Sequence, residues 1–239
     1  MARMRADLLL VARGLAESRA KAQAAIEAGG VRVIGALVRK ASDLIDEDAI
    51  LEAAPAHPWV SRGGVKLAHA LEVFGVDPAG RVCLDVGAST GGFTQVLLAR
   101  GTAKVYAVDV GSGQLHANLR ADPRVINLER TDARALTRAE IPDAPSLIVC
   151  DASFIGAAKV LCVPLSLAAS PADLVVLIKP QFEAGPGHGG VLAEEAARAA
   201  AQTTIAALDG AEGFRFVAAT DSPIRGGDGN LEMLAHFTR

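Results

Sequence analysis

The chain has 239 residues, of which 51% are hydrophobic and 21% charged, so it can bury a core and is not a disordered polypeptide. The N-terminus has only five consecutive apolar residues, Leu8 to Ala12, fewer than the roughly 7–15 of a signal peptide. No run approaches the roughly 20 apolar residues of a membrane span, so we expect a cytoplasmic protein.

The first 40 residues are basic and the remainder is acidic. Residues 1–40 hold eight basic and three acidic side chains, which gives +5, so a total of −3 leaves −8 for the rest. A basic N-terminal segment followed by an acidic remainder indicates a polyanionic partner. Charge alone leaves a solvated helix face as the alternative.

The cysteines and histidines predict neither disulfides nor a metal site. Cys83, Cys150 and Cys162 stand far apart in apolar runs, which is typical of buried thiols in a reducing compartment. The five histidines show no ligand spacing, so no metal is expected.

Residues 5–53 are predicted to form a small α+β module. ADLLLVARG and SRAKAQAAIEAGG indicate two short helices, the second with Ser18 as N-cap and Gly29 as its C-terminal stop. VRVIG, ALVRK and DAILEA indicate short strands with Gly35 in the first turn. Arg19 and Lys21 are expected to share a face at the start of the second helix.

The run from Arg5 to Glu52 resembles the S4-like RNA-binding domain, in which the helix pair and the adjoining turn lie against RNA phosphates. That family usually has Asn before the turn glycine, whereas Ile34 stands there in this chain and removes one expected turn hydrogen bond. The resemblance and the charge pattern predict contacts to ribosomal RNA from Arg5, Arg19, Lys21, Arg32, Arg39, Lys40 and Arg62.

Residues 54–63, APAHPWVSRG, are predicted to be an interdomain linker, because they contain two prolines and show no clear period. The chain is thus expected to divide into a domain at 1–53, this linker, and a second domain at 64–239. The sole tryptophan, Trp59, is predicted either to pack between the domains or to stack on a base.

From Gly64 onward the pattern alternates between helices and strands. GVKLAHALEVFG predicts a helix that ends at Gly75. Strands are predicted at 81–86, 103–109, 124–129, 146–151 and 174–179, and helices at 91–100, 155–169 and 193–208. The nearly continuous apolar strands favour a parallel sheet covered on both faces, and FRFVAAT and LEMLAHF favour an antiparallel hairpin at its edge. The predicted fold class is α/β with a Rossmann-like sheet.

The stretch LDVGASTGGFT (84–94) joins a strand to a helix through a loop of small residues. A dinucleotide site needs G-x-G-x-x-G, but Ser89 stands where the second glycine belongs, so close approach of a pyrophosphate is disfavoured. Asp85 would repel a diphosphate and attract a cation. S-adenosylmethionine carries a sulfonium and an ammonium but no phosphate, and it is therefore the predicted cofactor.

The cofactor prediction extends to the ends of the next strands. Asp109 is placed to accept from ribose hydroxyls and Asp132 from the adenine amino group. The full predicted cofactor set is Asp85, Gly87, Ala88, Ser89, Gly91, Gly92, Phe93, Thr94, Asp109, Asp132 and Asp151. Any one of these acids alone is more often a turn former or a helix cap.

The remaining strand ends carry Asp151 and Lys179, at the edge where ligands of doubly wound sheets bind. CDASF lacks the Pro-Pro that amino-directed nucleic-acid methyltransferases commonly have there, and no cysteine follows for covalent attack on a pyrimidine. Lys179 precedes Pro180, which must end its strand. A desolvated lysine there can activate a hydroxyl or stabilise its alkoxide, and the alternative is a lysine that extends into water.

A specific resemblance is carried by SRGGVKL (61–67), DVGASTGGFT (85–94), CDASF (150–154), LIKPQFE (177–183) and GNLEML (229–234). With the first module included, essentially the whole chain resembles the TlyA or haemolysin A-type ribosomal RNA 2′-O-methyltransferases, which are relatives of the FtsJ methyltransferases. The resemblance implies a catalytic tetrad at Lys66, Asp151, Lys179 and Glu232, and it alone supplies Lys66 and Glu232.

The implied reaction is methyl transfer from S-adenosylmethionine to the ribose 2′-oxygen of a cytidine. The substrate would be large-subunit ribosomal RNA and, in some members of the family, small-subunit RNA as well; the short termini favour the large subunit only. No obligate protein partner is implied. The glycine-rich loop FEAGPGHGGVL (182–192) is predicted either to close over RNA or to be a simple connector.

Two other functions are weighed against this enzyme. A haemolysin-like, membrane-acting protein is disfavoured because the sequence has no basic amphipathic helix with bulky aromatics. A non-catalytic ribosome-assembly factor that binds RNA is disfavoured because all four residues of the tetrad are present.

Overall fold

The computed structural model describes residues 2–153, 155–183 and 191–239. The chain divides into two units, Met1–Pro58 and Trp59–Arg239. Trp59 packs against an apolar cluster of the second unit. The bounds of the predicted domains and of the 54–63 linker remain predictions.

The first unit contains two helices and five short strands. In chain order they are β1 (Arg3–Arg5), α1 (Ala6–Ala12), α2 (Arg19–Glu27), β2 (Val31–Val33), β3 (Ala36–Leu37), β4 (Leu44–Asp46) and β5 (Leu51–Ala53). β2 pairs antiparallel with β3 and β5, and β1 pairs antiparallel with β4. As predicted, the Ser18 hydroxyl caps α2, and Gly29 follows it with a φ of +73°.

The second unit is a seven-stranded sheet with helices on both faces. Its elements are α3 (Gly63–Phe74), β6 (Val82–Val86), α4 (Gly92–Ala99), β7 (Lys104–Asp109), α5 (Ala117–Arg120), β8 (Val125–Glu129), β9 (Leu147–Cys150), α6 (Ala157–Ser166), β10 (Asp173–Ile178), α7 (Pro180–Glu183), α8 (Glu194–Leu208), β11 (Arg215–Asp221) and β12 (Met233–Thr238). The strand order is β11-β12-β10-β9-β6-β7-β8.

The predicted fold class is confirmed by this pairing. β8, β7, β6, β9 and β10 are parallel, while β12 pairs antiparallel with both β10 and β11 and so forms the edge hairpin. The chain runs from β6 outward to β8 and then returns to the other side of β6 as β9. The switch point therefore lies between β6 and β9, where the sheet opens a crevice at its carboxyl edge.

Alternating strand residues fill two apolar clusters, one on each face of the sheet. Cys83 on β6 belongs to one cluster, with Leu67 and Leu97 from the helices above it. Its neighbour Leu84 belongs to the other, with Leu161. Because successive side chains of a strand point to opposite faces, a sheet buried on both sides needs continuous apolar strands, and these have them.

Two expectations from the sequence are wrong. Cys162 is exposed, because it lies on the outer face of α6 next to the fully buried Leu161. Arg19 and Lys21 do not share a face, since positions two residues apart point in different directions on a helix. Cys83 and Cys150 are buried, as expected.

Candidate active site

A cavity of about 530 Å³ opens at the carboxyl ends of β6, β7 and β9, beside the switch point. Its walls include Val86, Gly87, Ser89, Val108, Asp109, Val110, Gly111, Gln114, Thr131, Asp132, Ala133, Arg134, Asp151, Ala152, Ser153, Ile155 and Val160. A second cavity of about 130 Å³ shares Gly87, Ser89 and Asp151 with the first. The two cavities therefore adjoin at these three residues.

The loop between β6 and α4 needs residues that accept unusual backbone angles. Gly87, Ser89 and Gly91 have φ values of +84°, +47° and +96°. A Cβ at Gly87 would lie 3.0 Å from the backbone of Ala152, so the glycine also permits a close approach of the β9 loop. Ser89 in place of glycine accepts a left-handed conformation that L residues usually avoid.

The segment before α3 packs tightly on the same loop. A Cβ at Gly92 would lie 2.2 Å from the hydroxyl oxygen of Ser61 and 2.9 Å from the main-chain nitrogen of Gly64. A Cβ at Gly64 would in turn lie 2.4 Å from the ring of Trp59. Ser61 and Gly63 thereby form a wall of the smaller cavity together with Ala88 and Phe93 of the loop.

Asp85 lies beneath the loop and is fully buried. One carboxylate oxygen accepts a hydrogen bond of 2.6 Å from the Thr94 hydroxyl, and the other has no hydrogen-bond partner. Burial raises the pKa of Asp85 to about 7, against the opposing effect of the Thr94 hydrogen bond. Among the described residues, Asp85 does not line either cavity and lies behind the loop that does.

Asp109 ties the loop to the end of β7. Its carboxylate accepts from the main-chain N–H groups of Ser89 at 2.8 Å and Gly111 at 2.7 Å. The carboxylate also lines the larger cavity, where each oxygen keeps further acceptor capacity for a ligand hydroxyl.

Asp132 and Arg134 form a pair on the opposite wall of the larger cavity. Asp132 accepts from the main-chain N–H of Arg134 at 2.9 Å and from its guanidinium at 2.6 Å. The Arg134 side chain, and then its main-chain N–H, lower the pKa of Asp132 to about 2. This acid is therefore an ionised acceptor at any physiological pH.

Lys179, directly after β10, is held by an ion pair and two hydrogen bonds to the segment after β9. Its Nζ lies 2.7 Å from Oδ1 of Asp151 and donates to the main-chain oxygen of the same residue at 3.2 Å. It also donates to Oγ of Ser153 at 2.7 Å. Only 12% of the lysine side chain is exposed, so the ammonium is bonded inside the protein rather than extended into water.

Lys66 on α3 and Glu232, directly before β12, form a more deeply buried ion pair, with 9% and 3% of their side chains exposed. Ile178 of β10 faces Met233 of β12 in the antiparallel register. Continuing this register by one residue sets Lys179 opposite Glu232, and opposed residues of antiparallel strands have Cα atoms about 4.5–5.5 Å apart. All four residues of the predicted tetrad thus lie at one edge of the sheet, as two ion pairs.

Two of the residues predicted to bind RNA are organised by a buried acid in the first unit. Asp7 is fully buried and accepts from Arg5 at 3.0 and 3.1 Å, from Arg19 at 2.7 Å and from Gln23 at 2.9 Å. Its hydrogen bond with Arg5 is the largest of the effects that hold the pKa of Asp7 far below its usual range. Lys21 instead forms an ion pair of 2.6 Å with Glu17.

The other predicted RNA contacts lie in exposed positions. Arg32 donates to the main-chain oxygen of Gly35 at 3.1 Å, which fixes it across the β2–β3 turn. Arg39 and Lys40 are exposed, and their main-chain N–H groups donate to a nearby aspartate. Arg62, in the second unit, donates to a main-chain oxygen of the loop before β12.

Several lining residues were not predicted as site residues. Ser61 and Gly63 fall inside the SRGG motif, and Ser153 falls inside CDASF, so the motifs pointed to the segments without assigning these side chains. Arg134 and Ile155 follow strand ends and carried no recognisable pattern. Most of the predicted loop at 182–192 lies outside the described residues.

Comparisons with known proteins agree with this architecture. The sequence pattern of the FtsJ-like methyltransferase family matches residues 59–239, and that of the S4 domain matches residues 4–51. Over 235 residues the chain is 47% identical to the 16S/23S rRNA (cytidine-2′-O)-methyltransferase TlyA of Mycobacterium tuberculosis, covering 96% of this chain and 88% of that protein. It is 40% identical over 238 residues to Hemolysin A of Brachyspira hyodysenteriae, covering 98% and 99%.

A solved structure also matches this chain along its whole length. A hemolysin from Streptococcus thermophilus matches with a TM-score of 0.72 and 35% identity, covering 100% of this chain and 89% of that one. Within the described residues, no helix combines the length and apolar character needed to cross a membrane. The resemblance inferred from the motifs is confirmed, and the chain belongs to the FtsJ-like methyltransferase family, with an S4 domain in its N-terminal part.

Proposed function

We propose that this protein is an S-adenosylmethionine-dependent methyltransferase that methylates the ribose 2′-hydroxyl of a cytidine in large-subunit ribosomal RNA. The observation that carries the proposal is the Lys179–Asp151 ion pair, whose carboxylate lines both cavities. Lys179 contacts Asp151 and Ser153, which line the larger cavity, and a lysine held there can activate an alcohol. The TlyA relative, a cytidine-2′-O-methyltransferase, modifies an alcohol of this kind.

The residues present fit a cationic adenosine cofactor. A cavity of about 530 Å³ lies within the range of about 300–1,000 Å³ usual for small-molecule sites. The buried carboxylate of Asp85 has an oxygen without a hydrogen-bond partner, which a neighbouring positive charge would stabilise. Asp109 would hold the ribose hydroxyls and Asp132 the adenine amino group, between apolar walls that include Val110 and Ile155.

The glycine-rich loop would hold the amino-acid end of the cofactor. Its predicted contacts Ala88, Gly92 and Phe93 line the smaller cavity, while Gly87 and Ser89 line both. When bound, the cofactor supplies a methyl group on a positively charged sulfur. The adjoining cavities allow this group to lie beside Asp151, which belongs to both walls.

The chain's own residues would then activate and orient the alcohol. The O–CH3 bond would form as the S–CH3 bond of the cofactor breaks, and the 2′-hydroxyl proton would pass to water. Lys179 would stabilise the charge that develops on the 2′-oxygen, and Asp151 would keep the ammonium in place. Lys66 and Glu232, adjacent through the strand register, orient the ribose and tune Lys179. Holding two reactants in line is worth roughly 7–11 kcal/mol, so precise placement of these groups matters more than their acidity.

The S4 domain is proposed to bring the enzyme to ribosomal RNA. Its basic residues lie within residues 1–40, which carry a charge of +5, and the acids of residues 41–58 cancel this charge over the whole first unit, so the proposal rests on the positions of individual cations. Arg32, Arg39 and Lys40 present exposed cations, and the Asp7 cluster fixes the direction of Arg5 and Arg19.

The test is mass-spectrometric mapping of ribosomal RNA from cells that lack the protein. Complementation with the wild type should restore a 2′-O-methylcytidine, and Lys179→Ala should not. Lys159→Ala, a change of an exposed lysine on α6, is the matched control and should restore it fully. Restoration by Lys179→Ala would refute the catalytic assignment and favour an RNA-binding factor. A missing modification at another atom, or in small-subunit RNA alone, would refute the proposed substrate.

A further inference from the structure

The CDASF segment contains a second side chain that contacts the catalytic lysine. Ser153 lines the larger cavity, two residues beyond Asp151, and its Oγ accepts a hydrogen bond of 2.7 Å from Nζ of Lys179. Neither the tetrad nor the cofactor contacts give this hydroxyl a role. We propose that Ser153 is a positioning residue that holds the Lys179 ammonium at the cavity wall, an inference that rests on the proposed function.

The argument begins with the hydrogen-bonding capacity of lysine. An ammonium has three N–H donors and no acceptor. The three nearest acceptors are Oδ1 and the main-chain oxygen of Asp151 and the hydroxyl of Ser153, at 2.7, 3.2 and 2.7 Å. Hydrogen bonds are made to only two of these oxygens, the main-chain oxygen of Asp151 and the Ser153 hydroxyl, while the contact with Oδ1 is an ion pair without hydrogen-bond geometry. Ser153 therefore supplies the only side-chain hydrogen bond to Lys179 among the described residues, and the third N–H is left for the substrate.

The Ser153 hydroxyl restricts the position of the Lys179 ammonium more than the ion pair with Asp151 does alone. A lysine stem is flexible and carries about 2 kcal/mol of rotamer entropy, and a carboxylate attracts the ammonium as a point charge from many directions. Two contacts to Asp151 alone would let Nζ turn about that residue, for instance toward Glu232, which the strand register places nearby. The contact to Ser153 fixes the ammonium from the side of the larger cavity, which faces the proposed methyl donor.

The chemistry of a hydroxyl suits this position. A carboxylate at residue 153 would add charge to a site that already pairs each lysine with one acid, whereas a hydroxyl accepts the N–H without changing the net charge. Its own hydrogen remains available to a second acceptor. The segment that carries Ser153 is anchored at its start, because the main-chain N–H of Asp151 donates to Val86 of β6 at 2.9 Å.

The experiment compares Ser153→Ala, Ser153→Thr and the control Ser166→Ala, which removes an exposed hydroxyl at the end of α6. Steady-state methyl transfer to ribosomal RNA gives kcat and KM, and calorimetry gives the Kd for S-adenosylmethionine. Ser153→Ala is expected to lower kcat about tenfold, the effect of one hydrogen bond to a charged group, with both KM values and the Kd within about twofold. Ser153→Thr, which keeps the hydroxyl, should recover kcat to within about threefold of the wild type.

Three results would overturn the inference. A wild-type kcat for Ser153→Ala would show that the bond to Lys179 has no function. A weaker Kd for the cofactor at unchanged kcat would make Ser153 a cofactor contact. Equal impairment of the Ala and Thr variants would show that the shape of the site, rather than the hydroxyl, is needed. Lys179→Ala is measured in parallel, since full activity in that variant refutes the proposed function itself, whereas an inactive Lys179→Ala beside a normal Ser153→Ala refutes only the role of Ser153.

Discussion

The charge of Asp85 is expected to destabilise the ligand-free second unit at neutral pH, and Asp85→Asn should remove that effect. The carboxyl group is fully buried, its hydrogen bonds come from Thr94, and burial raises its pKa to about 7. Asparagine keeps the shape and the acceptor for the Thr94 hydroxyl but never ionises. Its amide hydrogens add a cost that does not depend on pH, so the pH dependence of the comparison isolates the charge.

The size of the expected change in stability follows from the shift in the pKa of Asp85. A pKa that rises from 3.8 to about 7 differs by about 3 units, and each unit corresponds to 1.36 kcal/mol, so ionisation costs the folded state about 4 kcal/mol. In the unfolded chain Asp85 loses its proton above about pH 4, while the folded protein keeps it until about pH 7. The protonated Asp85 therefore leaves the folded state at full stability below pH 4, and this stability is lost as the pH rises to 7. The free energy of unfolding of Asp85→Asn minus that of the wild type should rise by about 4 kcal/mol between pH 4 and pH 8.

Urea unfolding at a series of pH values provides the assay. Trp59 is the sole tryptophan and packs in the second unit, so its fluorescence follows the unfolding of that unit. Thr94→Val serves as a companion variant: it removes the hydrogen bond that lowers the pKa of Asp85 and should carry the loss of stability to higher pH. The reasoning would be refuted if the free energies of unfolding of Asp85→Asn and the wild type differed by the same amount at every pH.

The same carboxyl group couples cofactor binding to pH. A cation beside Asp85 favours its ionised form, so binding of S-adenosylmethionine near pH 7 should release part of a proton. Calorimetry in two buffers with different ionisation enthalpies measures that release. Asp85→Asn should abolish it and weaken the affinity, and an unchanged proton release would place the linkage on another group.

Three further substitutions test local features. Gly92→Ala should lower the free energy of unfolding of the second unit by about 1–3 kcal/mol in urea, because the new Cβ would lie 2.2 Å from a serine hydroxyl. Gly227→Ala is the control, since a Cβ there meets open space and should leave the free energy of unfolding nearly unchanged. Ile34→Asn should stabilise the first unit by about 1 kcal/mol in hydrogen exchange, because Ile34 has a φ of +48° and asparagine tolerates this left-handed conformation better. Ile50→Asn, a control at a similarly exposed isoleucine, should not stabilise the unit. Asp7→Asn should destabilise the first unit by about 2 kcal/mol in the same measurement and leave cofactor affinity unchanged.

The sequence predicted the larger strands of the second unit because each is an apolar run bounded by turn residues. The missed strands are β1 and β4, each only three residues long, and β1 consists of Arg-Met-Arg, whose single apolar residue is too little to reveal a strand period. Such strands form because tertiary pairing overrides weak local preference. Cys162 was placed in the core because it lies in an apolar run, but a helix turns every 3.6 residues and brings one position of such a run to the surface.

The candidate site was predictable where strand ends carried the chemistry. Asp109 ends β7, Asp151 directly follows β9 and Asp132 lies three residues after β8, and all three line the larger cavity. Lys66 and Glu232 are 166 positions apart, so no spacing rule joins them, and only family resemblance named them before the structure brought them together. The contact of Ser153 with Lys179 also depends on how the chain turns after β9, which local pattern does not encode.

The charged residues of the two units suit different ligands. The larger cavity is lined by three carboxylates and one guanidinium, and each lysine of the tetrad is paired with an acid, so the cavity favours a cationic cofactor but offers little attraction to a polyanion. On the proposed function, phosphates are therefore contacted elsewhere, by exposed cations of the first unit such as Arg32, Arg39 and Lys40. The five acids of residues 41–58 cancel the +5 of residues 1–40, so the first unit has no net charge. Attraction to RNA would then depend on where these exposed cations lie on the first unit and not on its net charge.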